Sequence, residues 1–372
     1  MRATKLLPFI GLGLLAALAS PFFAQDQAMD PTVLVVHGGA GVLTEAEMQA
    51  AGVRRKDIEN ALAASLRAGY AAMREPGRTS VDGVEAAIRS LEDSGVFNAG
   101  RGAVFNHDGR VELDASIMEG RMEGKGEGTR DPRKRAGAVA GVAHVKNPIS
   151  AARAVMEMKD GKHAMLFGEG AEAFVFTEAN RKKFAIEKVS NVYFWSDRRL
   201  NQIRQQVVGK PEARQGRERD ADSRFGTVGA VARSGKGGLA AGTSTGGLSN
   251  KLVGRVGDSP VIGAGTYADD RACGVSCTGT GELFIRHAVA HDVVARMLYK
   301  KIGVKEATRE TIDGLPDEDG GVGGLIALDK DGKHAFAMSQ RSNGMYRGYV
   351  TASGEIHVGI FANEAEKRIA PQ

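Results

Sequence analysis

"DSRFGTVGAVARS" occupies residues 222–234. Charged and polar residues run up to Gly226, and a strand-like apolar alternation starts at Thr227, Val228, Gly229, Ala230 and Val231. A threonine at such a seam has two readings. One is an incidental residue where a loop enters a strand. The other is a nucleophile, for a threonine hydroxyl reacts well only beside a base, and one such base is the residue's own α-amine. With an ordinary pKa of about 7.7–8.0, that amine is partly neutral near physiological pH. It exists only if the bond before Thr227 is cut. Gly226 suits a scissile position, because without a Cβ it reaches backbone angles that strain other residues. Attack of the Thr227 oxygen on the Gly226 carbonyl followed by ester hydrolysis would leave two pieces of one domain, 25–226 and 227–372.

Outward from the seam, the stretch 210–225 is dense in both charges, lacks an apolar period and is expected to be disordered or loosely attached. Beyond it, strands are expected at 227–233, 238–243, 261–266, 273–278, 324–329, 334–339, 346–351 and 355–360. Helices are expected at 281–303 and 305–313. Before the seam, strands are expected at 32–41, 110–120 and 136–145, and helices at 53–74, 81–93 behind Ser80 as cap, 148–158 and 197–208. Residues 163–176 read as strand, turn and helix, and the charged, glycine-rich 121–135 as an exposed loop. Strands in runs with helices grouped between them indicate an α+β fold, sheets packed together and helices outside.

The chain opens "MRATKLLPFIGLGLLAALASPFFAQDQ", with Arg2 and Lys5, an apolar run and small residues before Ala24. That is a secretory signal peptide over 1–24, too short in its apolar part to span a bilayer, so a periplasmic or secreted protein without a membrane anchor is expected. Its removal takes two cations and lowers the net charge from +5 to +3, which gives no reason to expect a nucleic-acid partner. Cys273 and Cys277 lie four residues apart, farther along an extended strand than the roughly 7 Å a disulfide allows, so free buried thiols are expected.

Three further motifs compete with the seam. "GEGAEA" (168–173) matches a relaxed dinucleotide fingerprint, or an ordinary tight turn. His287 and His291 have the spacing of metal ligands on one helix, or of half-exposed helix histidines. "GTSTG" (242–246), with Asp258 and His334 downstream, has the order of a serine triad around Ser244, yet the segment after it is too broken by glycine and proline for the helix a nucleophile elbow needs.

Read together, "HGGAG" (37–41), "FNAGRGAVF" (97–105), "ELDASIM" (112–118), "AGAVAGV" (136–142), "GTVGAVA" (226–232), "TSTGGLSNKLVGRVGDSPVIGAGTYAD" (243–269), "SCTGTGE" (276–282) and "GGLIALD" (323–329) closely resemble the plant-type asparaginase and isoaspartyl peptidase family of N-terminal-nucleophile hydrolases. The resemblance implies a four-layer αββα sandwich, cleavage between Gly226 and Thr227, and Thr227 as nucleophile with Thr245 beside it. Arg255 would take the substrate α-carboxylate and Asp258 its α-ammonium, with Gly281 also at the substrate. The Thr278 hydroxyl and Gly279 N–H would form the oxyanion hole. It implies no catalytic cofactor, a structural sodium ion on the backbone carbonyls of Leu91, Glu92, Ser94, Phe97, Ala99 and Arg101, a homodimer of cleaved αβ heterodimers, and β-aspartyl dipeptides and L-asparagine as substrates. A glycosylasparaginase-type hydrolase of the same family, and an exported amino-acid or peptide-binding protein that performs no chemistry, are the alternatives. The family's glycosylasparaginase branch typically has Asp where Gly226 stands and Asn where Gly247 stands.

Overall fold

The structure is a computed structural model that describes residues 1, 30–50, 52–122, 134–208, 226–234, 238–316 and 323–370. Residues 2–24 of the expected signal segment, the 121–135 loop apart from its strand-forming ends, and the charged stretch 210–225 lie outside the described residues.

The apolar run at the start forms β1 (Thr32–Ala40), buried along nearly its whole length. A short α1 (Glu45–Ala50) leads to the amphipathic helices α2 (Arg55–Arg74) and α3 (Ser80–Asp93). The cap of α3 is Thr79 rather than the expected Ser80. Thr79 and Asp82 form a reciprocal capping box, a device worth about 1 kcal/mol. A 3₁₀ turn at Gly100–Gly102 precedes β2 (Leu113–Met122) and β3 (Lys134–Val142). Then α4 (Pro148–Met156) starts with proline at its first position, where no N–H is needed. The strand, turn and helix of 163–176 are β4 (Met165–Phe167) and α5 (Gly168–Val175), followed by α6 (Glu178–Phe184) and α7 (Asp197–Val208).

The strands after the seam are β5 (Val228–Arg233), β6 (Leu239–Thr245), β7 (Thr266–Ala268) and β8 (Cys273–Gly279). The strand expected at 261–266 is instead a pair of turns, Val261 N–H to Asp258 and Ala264 N–H to Val261, with only Thr266 extended into β7. The single helix expected over 281–303 divides into α8 (Gly281–Arg286) and α9 (Val289–Tyr299). Ala288 takes a left-handed conformation at the break, and the Ala290 and His291 N–H groups bond the Ala264 and Gly263 carbonyls rather than a preceding helical turn. The chain ends with α10 (Val304–Asp313), β9 (Gly323–Asp329), β10 (His334–Met338), β11 (Gly344–Thr351), β12 (Ile356–Phe361) and the unanticipated β13 (Lys367–Ile369).

The fold is α+β. Among the described residues the strands form two sheets, ordered β13-β12-β11-β1-β5-β6-β2-β3-β4 and β10-β9-β8-β7. All neighbours are antiparallel except β3 and β4. Strand β1 lies between β11 and β5, so the start of the chain is stitched into strands that follow the seam. Ile58, Leu62 and Leu66 of α2 and Val84 and Ile88 of α3 bury against Leu34, Val36, Val228 and Ala230 of the larger sheet. Val293 and Ala290 of α9 and Ala307 of α10 bury against Cys273, Val275 and Cys277 of the smaller one. Val35, Met118, Val231, Ala241, Ile326 and Leu328 fill the space between the sheets. Both cysteines are free and buried, as expected.

Candidate active site

Thr227 stands at the mouth of β5 and Thr245 at the end of the neighbouring β6; the register pairs Val228 with Ser244, so both threonines fall at one end of the sheet. The Thr227 hydroxyl donates to Thr245 Oγ1 at 3.0 Å, and the same Thr245 oxygen accepts the Gly247 N–H at 3.0 Å. Both side chains are almost fully buried. From the smaller sheet, Thr278 near the end of β8 brings its hydroxyl to the Ala40 N–H at 3.4 Å and up to the Gly226 backbone. Gly279 completes the strand. Gly39 (φ +118°) packs directly on Gly226: a Cβ there would stand 2.5 Å from the Gly226 nitrogen. Bare backbone on both sides is what lets β1 approach the seam so closely.

The substrate-binding residues expected from the sequence also converge. Gly281 opens α8 with its backbone against Arg255 and Asp258; a Cβ there would lie 2.9 Å from Arg255 Nη2 and 3.0 Å from Asp258 Oδ1. Burial pushes the Asp258 carboxyl up to about 7, against the pull of the Arg255 cation, and no hydrogen bond among the described residues reaches its Oδ2. Glu282 was not singled out by the sequence, although it ends the "SCTGTGE" motif. Its carboxylate accepts Arg255 Nε at 3.0 Å and Nη2 at 2.9 Å, a bidentate pair that fixes the plane of the guanidinium and leaves Nη1 beside Gly247 and Gly257.

Other functional-looking groups escaped the sequence reading because their partners are remote in the chain. Asp114 on β2 lies opposite Thr245, fully buried, and its Oδ1 accepts the Gly141 N–H at 2.9 Å. Burial raises its carboxyl pKa, with the Lys251 ammonium opposing; Lys251 is itself buried and lowered for the same reason, with Asp114 opposing. Asn98 clamps the turn after β6, donating to the Gly247 carbonyl at 2.7 Å. Glu92, at the end of α3, accepts the Ser244 hydroxyl at 2.7 Å and the Ile149 N–H at 3.1 Å, and burial pushes it up to about 8.

The remaining motifs do not assemble. Ser244 lies within β6, one residue before its end, with its hydroxyl on Glu92 and no helix directly after it, and His334 bonds Thr32 on a different strand, so these residues form no serine triad. His287 caps α8 and His291 belongs to α9, on opposite sides of the break, and no acidic, histidine or cysteine metal cluster occurs among the described residues. "GEGAEA" does follow a strand and open a helix, but β4 is a three-residue edge strand and α5 only eight residues long. The carbonyls of Leu91, Glu92, Ser94, Phe97, Ala99 and Arg101 run from the last turn of α3 into the 3₁₀ turn. Leu91 already accepts the Ser94 N–H and hydroxyl, at 3.3 and 2.7 Å, and Ala99 accepts the Gly102 N–H at 3.2 Å. The oxygen-only donor set is of the kind a hard cation takes, so the loop is chemically compatible with one.

Residues 30–360 match the asparaginase family. The chain is 41% identical over 343 residues to the isoaspartyl peptidase of Escherichia coli (strain K12), covering 91% of this chain and 98% of that protein. It is 40% identical to the plant-type L-asparaginase of Pyrobaculum calidifontis, over 86% of this chain and 96% of that one. It is 34% identical to the isoaspartyl peptidase/L-asparaginase of Homo sapiens, over 89% and 96% respectively. With motifs matched in order from end to end and relatives covered almost completely, the chain belongs to the asparaginase family.

Proposed function

We propose that this protein is a self-cleaving amidohydrolase that splits β-aspartyl (isoaspartyl) dipeptides and, less efficiently, L-asparagine, with Thr227 as its nucleophile. The observation that carries the reading is the 3.0 Å contact between the Thr227 and Thr245 hydroxyls directly behind Gly226. In maturation the Thr227 oxygen attacks the Gly226 carbonyl carbon, the C–N bond breaks as the nitrogen takes a proton, and water hydrolyses the resulting ester. The freed α-amine then serves as base. In turnover it takes the hydroxyl proton as Oγ1 attacks the substrate's side-chain carbonyl, and passes it to the leaving amine or ammonia. Water cleaves the acyl-enzyme and regenerates the hydroxyl.

Arg255 holds the α-carboxylate and Asp258 the α-ammonium, roles that suit a guanidinium braced by Glu282 and a buried carboxyl next to it. The Thr278 hydroxyl and the Gly279 N–H stabilise the oxyanion; a single such donor is worth about 2.7–4 kcal/mol of barrier. Helices on the outer faces and apolar side chains between the sheets support the αββα layering. A structural sodium ion fits the carbonyls of residues 91–101 and takes no part in any step. The leader "MRATKLLPFIGLGLLAALA" supports export to the periplasm or medium, and the family supports a dimer of cleaved heterodimers.

N-terminal sequencing tests the reading. Purified protein should run as two fragments on a denaturing gel, the smaller beginning "TVGAVA", and Thr227→Ala should stay full length and release no aspartate. One full-length band with full activity refutes it.

A further inference from the structure

Most of the layer between the two sheets is apolar, as such layers are. At the end nearest the seam it is not. His37 Nε2 meets Ser276 Oγ at 3.0 Å, Ser276 Oγ meets Thr243 Oγ1 at 2.7 Å, and Thr266 Oγ1 bonds Thr243 Oγ1 at 2.5 Å. Ser116 Oγ lies 2.9 Å from Thr266 Oγ1 and donates to the Ser259 carbonyl at 2.6 Å, while Thr243 Oγ1 also reaches the Gly265 carbonyl at 3.0 Å. All five side chains are wholly buried. They come from β1, β2 and β6 of one sheet and β7 and β8 of the other.

Three of the five have a neighbour at the site. Thr243 lies two residues before Thr245 on β6, and Ser276 two before Thr278 on β8, so each pair shares a strand face. Ser259 follows Asp258, and His37 pairs in register with Gly229, two residues after Thr227. Gly229 has no room for a side chain: a Cβ would strike Ser276 Oγ and His37 Nε2. The chain is thus a polar storey directly beneath the reacting hydroxyls. Stability alone does not call for it, because apolar side chains fill the same interface elsewhere and buried polar groups cost free energy unless fully paired. What a network paired at every hydroxyl adds is a single geometry, since sliding one sheet over the other breaks several directional bonds at once.

We propose that Thr243, Thr266 and Ser276, with His37 and Ser116, are positioning residues that lock the sheet bearing Thr227 and Thr245 onto the sheet bearing Thr278. This rests on the function proposed above. The lock sets the distance from nucleophile to oxyanion donor, and misplacement of about 1 Å at such a site costs on the order of a hundredfold in rate.

The test compares Thr243→Val, which keeps the shape and loses the hydroxyl, with Thr243→Ser, which keeps the hydroxyl, on a β-aspartyl dipeptide with rates counted per cleaved chain. Thr243→Val should lower kcat by roughly tenfold or more with KM within about twofold, and Thr243→Ser should recover most of it. A folded Thr243→Val with wild-type kcat, including one that merely melts earlier, overturns the proposal. Ser276→Ala, a smaller change, is judged by the same criterion if Thr243→Val does not fold. Thr227→Ala is the control: if it still turns over, the functional reading fails, whereas an inert Thr227→Ala beside a fully active Thr243→Val overturns the lock alone.

Discussion

Glu282 grips Arg255 with both carboxylate oxygens, at 3.0 and 2.9 Å, from the first turn of the helix that follows the Thr278–Gly279 strand end. The cation proposed to meet the substrate is therefore aimed by the same segment that carries the proposed oxyanion donors. Glu282→Ala should free the guanidinium to rotate. KM is expected to rise roughly tenfold while kcat falls less than about threefold, because the lost interaction is common to bound substrate and transition state. Steady-state kinetics on a β-aspartyl dipeptide decide it, and an unchanged KM contradicts the aiming role.

Asp258 gives the site a pH dependence. Burial holds its carboxyl near 7, so below that pH most of the free enzyme presents a neutral acid at the position proposed to take the substrate's ammonium. Binding the ammonium favours the ionised form, and affinity should rise with pH by about tenfold per unit until the carboxyl is ionised, then level off. KM measured between about pH 5.5 and 8 should follow that curve in the native enzyme, while Asp258→Asn should bind weakly with no such slope.

Glu92 should make the fold itself sensitive to base. Its carboxyl is raised from 4.5 to about 8 by burial, so between those values the unfolded chain has released a proton that the folded chain keeps. Stability contributed by the neutral carboxyl is whole below 4.5 and is lost as pH climbs toward 8. Glu92→Gln cannot ionise, so its melting temperature relative to the native protein should improve steadily over that window. A difference that stays constant with pH would place the carboxylate's proton elsewhere.

Gly39→Ala should stall maturation. The added carbon enters 2.5 Å from the Gly226 nitrogen at a backbone φ of +118° that alanine disfavours, so the seam must shift away from Thr278. Self-cleavage is expected to slow by roughly tenfold or more, seen as full-length chain persisting on a denaturing gel. Cleavage at the native rate would mean that the β1 turn does not shape the scissile bond.

Features that depend on neighbours in the chain were legible beforehand. The apolar periods of α2 and α3, the strand after Gly226 and the free thiols of Cys273 and Cys277 all follow from local pattern. The family motifs pointed to Thr227, Thr245, Arg255, Asp258, Thr278 and Gly281, and these residues do gather in the fold. Features set by distant contacts were not legible. The helix break at Ala288 is stabilised by carbonyls of Gly263 and Ala264, so no helical-wheel reading of 281–303 detects it. The electrostatic influence of Lys251 on Asp114, and the reach of Ser276 to His37 across 239 positions, come from tertiary packing, which spacing does not encode. The cap of α3 shifted by one residue because both Thr79 and Ser80 are able to cap, and only Thr79 has Asp82 at the reciprocal distance.

The strand order carries a consequence for a chain cut after Gly226. β1 would then be a guest between β5 and β11, and β2 a neighbour of β6, so the two fragments share one sheet like interlaced fingers. Parting them means breaking backbone ladders along several strands at once, which favours long survival of the mature enzyme. Once melted, however, the halves must find each other by diffusion, so renaturation should depend on dilution and the ripened protein should withstand heat chiefly through the slowness of its unravelling.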